Sequence, residues 1–292
     1  MPYLRAWYDR YADHGFEIIG VHTPEFIFAR DPGQVKAAVG RLGIRWPVIL
    51  DNDQVIWTAY ANRYWPTIYL VDTDGYLRYR QIGEGAYAQS EAAIQSLLTE
   101  KNTDLELPEL LPTLRPEDAP GAVCAPTTQE LHIDAVGNSQ PPLDEHLSFT
   151  LPAERVDGHF YLDGTWRVID DGLTLESEGG TITLPYHAAT VNAVLSPSAD
   201  PDLLPYRRDD PLHITLTQDG ESLHPGSFGE DVYIASGQAM VRIDAPRMYT
   251  LVRNPDVQIR ELSLSIDEPG LTFYAFSFGS CITSGVNHTA KE

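Results

Sequence analysis

The sequence predicts an α/β domain with a mainly parallel sheet, followed by an all-β, jelly-roll-like sandwich. Three observations carry that prediction. Over residues 1–99, segments of helical and strand chemistry alternate. Pro108, Pro112, Pro116, Pro120 and Pro126 then recur without lasting periodicity, as in a semi-rigid spacer. From about residue 128, short strand-type runs follow one another between turn signals, and helical signal almost vanishes. The predicted boundaries are 1–100 for the first domain, 101–127 for the linker and 128–292 for the sandwich.

The elements of the first domain follow in order. Tyr3, Leu4, Trp7, Tyr8 and Tyr11 recur at helical spacing, so residues 2–14 read as a helix with Gly15 as its stop. Those aromatics read as helix packing rather than a binding face. Phe16 to Val21 is an apolar run of strand type, and His22-Thr23-Pro24-Glu25 follows as a loop. Asp31-Pro32 opens a second helix to about Leu42, with Asp as cap and Pro in the first turn. Trp46 to Leu50 reads as a strand ending at Asp51-Asn52-Asp53. No matching ligand set follows those acids, so they read as a strand-end loop rather than a metal site. Residues 54–62 fit a short helix. Ile68 to Val71 and Tyr76 to Arg80 read as a hairpin around Asp72-Thr73-Asp74-Gly75, with Pro66 placed before the first strand, where its missing N–H spoils no ladder. Ser90 is the expected cap of a last helix through about Leu98. Strands separated by helices imply a parallel sheet with one antiparallel edge.

In the second domain the runs include Glu130–Val136, Gly164–Ile169, Gly180–Leu184, Ala188–Leu195, Met248–Val252, Gln258–Ser265 and Leu271–Phe278, with turns such as Asp171-Gly172 and Asp219-Gly220 between runs. Tyr161, Trp166, Tyr186, Tyr206, Tyr233 and Tyr249 supply aromatic area. Tyr206-Arg207-Arg208-Asp209-Asp210 and Gly229-Glu230-Asp231 supply polar groups of the kind a sugar site needs. Buried aromatics in sandwiches are mostly core, and Trp166 in particular reads as core.

The net charge of −22 argues against a nucleic-acid partner, which needs clustered Lys and Arg, and otherwise favours solubility. No run approaches the ~18 apolar residues of a membrane span, and residues 1–20 lack the basic start and apolar core of a signal peptide. Cys124 and Cys281 are far apart and match no metal spacing. No cofactor or metal is expected.

A Pro-Thr step entering a strand, Asp-x-x-Gly, strand hairpin resembles the cis-proline corner of the thioredoxin family, in its TlpA-like branch. That resemblance covers roughly residues 1–99. With the Pro-rich linker and the sandwich, nearly the whole chain resembles the C-terminal part of DipZ-type thiol–disulfide oxidoreductases. His22-Thr23-Pro24-Glu25-Phe26, Trp65-Pro66-Thr67, Leu162-Asp163-Gly164-Thr165-Trp166 and Tyr274-Ala275-Phe276-Ser277-Phe278-Gly279 carry the likeness. The resemblance implies a carbohydrate-binding-module-like sandwich and an extracytoplasmic location. It implies protein thiols or disulfides as partners, and in some members a membrane electron-transfer domain.

In that family a strand ends at Cys-x-x-Cys, which opens the first helix and gains a lowered thiol pKa there. By this match the cysteines belong just ahead of Met1. The chain is therefore expected to be N-terminally truncated, to lack the middle strand of its sheet, and to be redox-inactive as given. A short form without redox chemistry is the competing expectation. Trp65, Pro66 and Thr67 are the candidate substrate-peptide site, by strand addition. His22 and Glu25 follow a strand end, where α/β sites gather, and Glu25 is a candidate proton carrier. Cys124 and Cys281 flank the sandwich and are a candidate disulfide if the chain is exported. The rival function is a non-enzymatic glycan or cell-envelope binding protein. A peroxidase of the peroxiredoxin type is less favoured by the short hairpin.

Overall fold

The computed structural model describes residues 1–119, 122–138, 146–169, 171–198 and 211–282. The chain forms two units, Met1–Pro120 and Gly121–Glu292.

The first unit runs α1 (Pro2–Tyr11), β1 (Gly20–His22), α2 (Pro32–Arg41), β2 (Val48–Leu50), α3 (Val55–Ala59), β3 (Thr67–Val71), β4 (Leu77–Ile82) and α4 (Tyr87–Lys101). α1 carries Pro in its first turn, where no N–H is needed. It tightens into one 3-10 turn, Ala12–His14, and stops at Gly15, whose φ of +88° suits a residue without Cβ. Asp31 caps α2 by accepting from the Gln34 amide at 2.9 Å. Tyr3, Trp7 and Tyr11 on one face of α1 pack with Leu70, Ile94 and Leu98.

The strands form two separate ladders. β1 pairs with β2 in parallel, Gly20 opposite Val48. β3 pairs with β4 antiparallel across a turn in which Asp72 accepts from the amides of Asp74 and Tyr76. Among the described residues neither ladder joins the other. A mainly parallel sheet with an antiparallel edge is thus present as its two sides, without a strand between them.

Two sequence expectations need correction. Ser90 is not a cap: α4 begins a turn earlier, after Ala86 at φ +50°, and Ser90 is buried within it beside the Tyr79 hydroxyl at 3.3 Å. Tyr87 stacks on Tyr3 with ring centroids 3.9 Å apart, which anchors the extra turn. The first part of the stretch read as a spacer is also not loose. Leu105, Leu107 and Leu111 pack on the core of the first unit. The Leu111 amide donates to Glu91, the Leu114 amide to the Tyr3 hydroxyl, and Gln95 Nε2 to the Pro108 carbonyl. Proline keeps this segment extended, and its leucines make it a strap.

The second unit is all β: β5 (Val123–Cys124), β6 (Leu131–His132), β7 (His146–Phe149), β8 (Tyr161–Ile169), β9 (Gly172–Leu175), β10 (Gly180–Pro197), β11 (Leu212–Gln218), β12 (Glu221–Ser222), β13 (Val232–Ala235), β14 (Gln238–Ile243), β15 (Arg247–Ile266), β16 (Leu271–Gly279) and β17 (Cys281–Ile282). β10 and β15 each run through what the sequence reads as two strands. They stay paired across Pro185, and Asn254–Val257 bulges out between the pairs Ala188 with Gln258 and Thr190 with Arg253. β10 pairs with β8 near its start and with β16 near its end, while β9 bridges β8 and β16. The ladder therefore closes on itself as a sandwich, which shields most strand edges. Phe160, Trp166, Tyr186, Phe273 and Phe276 fill the interior.

Candidate functional site

The candidate site lies in the first unit, where the chain enters β3. The Trp65–Pro66 peptide is cis. The Pro66 carbonyl accepts from the Gly83 amide at 2.8 Å, and the Thr67 hydroxyl donates to the Tyr64 carbonyl at 2.7 Å. These bonds tie both ends of the corner. Trp65 is half exposed and leans on Trp57, ring centroids 4.2 Å apart. Trp65, Pro66 and Thr67 line a groove of about 920 Å³, together with Trp57 of α3, Val21 of β1 and Ile94 of α4. Its lining is apolar in the larger part, with half-exposed Trp65, and also includes Glu17, Asp72, Asp74, Arg78, Glu100 and Lys101, chemistry suited to an extended peptide.

His22 and Glu25 do not line this groove. His22 closes β1 and turns its ring away, with Nε2 donating to the Ala29 carbonyl at 2.8 Å. Glu25 is exposed in the turn before the short 3-10 helix Ile27–Arg30. Thr23, between them, does line the groove and donates to Asp51 Oδ2 at 3.1 Å.

Asp51 is buried at the head of α3. Its carboxylate accepts from the amides of Ile56 at 2.9 Å and Trp57 at 2.8 Å, as a helix cap does. Burial pushes this carboxyl up, but these amide bonds and the Thr23 hydroxyl outweigh it and hold it below the usual carboxylate range. The acidic loop is thus structural, and it fixes the helix that carries Trp57.

Sequence reasoning missed Glu91. It is 1% exposed on α4 and accepts from Arg10 Nη1 at 2.7 Å, the Tyr11 hydroxyl at 2.6 Å and the Leu111 amide at 2.9 Å. Burial and the Glu91 bond push the Tyr11 hydroxyl up to about 12. Every partner is held, so this cluster joins α1, α4 and the strap rather than presenting a reactive group.

In the second unit Cys124 and Cys281 are bonded to each other, across the paired strands β5 and β17. Tyr161, Trp166, Tyr186 and Tyr249 are buried in or against the core, so their faces are closed to a sugar. Tyr233 is half-buried and its hydroxyl lies 2.6 Å from His213 Nδ1. Tyr206 and the polar run 207–210 lie outside the described residues. Asp231 accepts from the Thr250 amide and pairs with Arg247, which is stacked over Tyr249 at 3.7 Å. Among the described residues no helix is long and apolar enough to cross a membrane.

Residues 133–279 match the family model described as the thioredoxin-like C-terminal domain, and residues 1–95 match the redoxin model. Protein DipZ of Mycobacterium tuberculosis is 36% identical over 198 residues, which are 67% of this chain and 28% of DipZ. The chain thus spans little more than a quarter of that relative. The thiol-disulfide oxidoreductase YkuV of Bacillus subtilis is 30% identical over 100 residues, 34% of this chain and 67% of YkuV. A carbohydrate-binding module of Clostridium stercorarium, CsCBM6-3, solved with cellobiose, aligns at 14% identity with a TM-score of 0.26, over 52% of this chain and 92% of that structure.

Proposed function

Because this chain belongs to the thioredoxin-like thiol–disulfide oxidoreductases, as a DipZ-type C-terminal region, we propose that it is the substrate-receiving part of such an enzyme and performs no dithiol exchange through its own cysteines. The observation that carries the reading is the groove at Trp65-Pro66-Thr67, which opens onto the outer edge of β3. An extended segment of a protein thiol or disulfide lies along that edge, its main chain bonded to β3 and its side chains against Trp57 and Trp65. His22 supports the end of β1, and Glu25 remains the proposed proton carrier beside it.

Exchange needs a thiolate nucleophile. The two cysteines of this chain are tied to one another in the sandwich, and neither opens a helix that would stabilise a thiolate. The dithiol therefore comes from a segment outside these residues, with a membrane electron-transfer domain as its proposed source of electrons. The structural disulfide supports an extracytoplasmic location. Glycan binding by the sandwich is the rival reading, and the burial of Tyr161, Trp166, Tyr186 and Tyr249 weighs against it.

The test is binding of an extended peptide with one S-methylated cysteine, followed by tryptophan fluorescence. Trp65→Ala is expected to weaken binding at least about tenfold, with the fold unchanged by circular dichroism. Equal affinity in Trp65→Ala would overturn the assignment of the site.

A further inference from the structure

The second unit carries, outside its large sheet, a ladder that joins an early segment to a late one. β5 and β17 pair with each other, Cys124 opposite Cys281 and Val123 opposite Ile282. Among the described residues neither strand pairs with any other. Each is two residues long. The Ala125 amide adds one more bond, to the Ser280 carbonyl at 3.4 Å. Neither cysteine nor Ala125 is part of the hydrophobic core of the sandwich.

The sandwich is held on either side of this ladder by bonds that do not involve it. Thr128 is buried, and its amide donates to the His187 carbonyl at 3.0 Å. Its hydroxyl donates to Asp157 Oδ1 at 2.6 Å and accepts from the His187 amide at 2.8 Å. Gly279, the last residue of β16, lies opposite Thr190 of β10. A ladder of two residue pairs is marginal in water, so the Cys124–Cys281 bond is what keeps it closed. That bond is open to attack: Cys124 is exposed and Cys281 half-buried. An exposed disulfide is the labile kind, because a thiolate reaches it without waiting for the fold to open. Its span of 157 residues stabilises the sandwich through the unfolded chain, so breaking it removes no packing from the native core.

We infer that Cys124–Cys281 is a reducible clasp, the target of a protein dithiol, and that its reduction frees β5 and β17 while the sandwich stays folded. The chain accepts electrons in this step and supplies no catalytic thiol, so the inference does not rest on the peptide site at Trp65. A thiolate of the reductant attacks Sγ of Cys124, the more exposed sulfur. The Cys124–Cys281 bond breaks, and Cys281 leaves as a thiolate. The reductant's second thiolate then attacks its own sulfur in the mixed disulfide, and Cys124 leaves in turn. Two electrons pass, so the reductant's dithiol becomes a disulfide and the clasp becomes two thiols. The two protons that the reductant's thiols lose to water are matched by the two that the new thiols take up.

The test uses the full chain, treated with dithiothreitol in native buffer and in denaturant, then alkylated, with the labels counted by mass. A disulfide reached only through global unfolding is reduced in native buffer at least about a thousandfold more slowly than in denaturant. The clasp is expected to react within about tenfold of the denaturant rate, and reduced thioredoxin in place of dithiothreitol should give the same two labels. After reduction, amide exchange at Ala125 should speed up at least about tenfold, while Val191 and Leu264 in the large sheet stay protected. A native rate a thousandfold slower would overturn the clasp and make the bond an enclosed structural one. Labelling by dithiothreitol without labelling by thioredoxin would overturn a protein dithiol as its reductant. Loss of protection at Val191 and Leu264 on reduction would show that the bond holds the core itself, which also contradicts the inference.

Discussion

Asp51 and Asp118, with Asp72 in the hairpin turn, carry the acid response of the first unit. At Asp51 the Ile56 and Trp57 amides and the Thr23 hydroxyl outweigh burial, and at Asp118 the Arg115 guanidinium is the largest cause; both carboxyls are held below their usual range. A carboxyl with a depressed folded pKa adds stability that is present above its unfolded value, near pH ~4, and is lost as pH falls through the folded one. The melting temperature, read by tryptophan fluorescence, is therefore expected to fall as the solution is taken below about pH 4. Asp51→Asn with Asp118→Asn should blunt that fall at the cost of stability at neutral pH. Glu91 calls for a different test. Glu91→Ala leaves the Leu111 amide without its partner and Arg10 with only its bond to the Glu109 carbonyl, and should cost about 3 kcal/mol in denaturant unfolding. Removing Glu100 from its exposed pairing with Arg78 should cost under ~1 kcal/mol. Equal losses would contradict the role given to Glu91. Asp31 was legible in the sequence because a cap acts on residues next to it. Glu91 was not, because Arg10 and Tyr11 lie 81 and 80 residues away.

Elements whose chemistry is local follow the sequence closely: α1 to Gly15, α2 from Asp31-Pro32, and the hairpin around Asp72. Elements decided by tertiary contact do not. Tyr87 on Tyr3 draws α4 a turn ahead of Ser90. β15 continues past Asn254-Pro255-Asp256 because both halves are paired to β10. The strap at 105–114 is the largest such case, since prolines signal an extended chain without saying whether it docks. Leu111→Asp is expected to release it, exposing amides 105–114 to rapid hydrogen exchange and lowering stability by about 3 kcal/mol. Unchanged exchange there would mean that the leucines do not hold the strap.

On the scale of the molecule, the order of an α/β unit followed by an all-β sandwich was legible, as was the lack, among the described residues, of a strand joining the two ladders of the first unit. What fills the core of the sandwich was legible only as a class of residue, because closure of the ladder through β10 depends on pairings between distant strands. The disulfide spans 157 residues. By the chain-entropy account, Cys124→Ser with Cys281→Ser should lower sandwich stability by up to ~5 kcal/mol. Calorimetry should place that loss in the second unit alone. Buried Tyr186, pushed up to about 12, adds a second dependence on conditions. Its folded pKa is raised, so its contribution is complete below about pH 10 and is lost as pH rises toward 12.

The first unit is proposed to receive an extended peptide while the chain itself performs no exchange. Mass spectrometry with a peptide bearing a glutathionylated cysteine, under native and then denaturing conditions, tests both halves in one experiment. The expected result is a one-to-one complex that survives native spraying, is lost in Trp65→Ala, and leaves no covalent adduct after denaturation. A peptide found bonded to Cys124 or Cys281, with glutathione released, would contradict it, as would the absence of any complex.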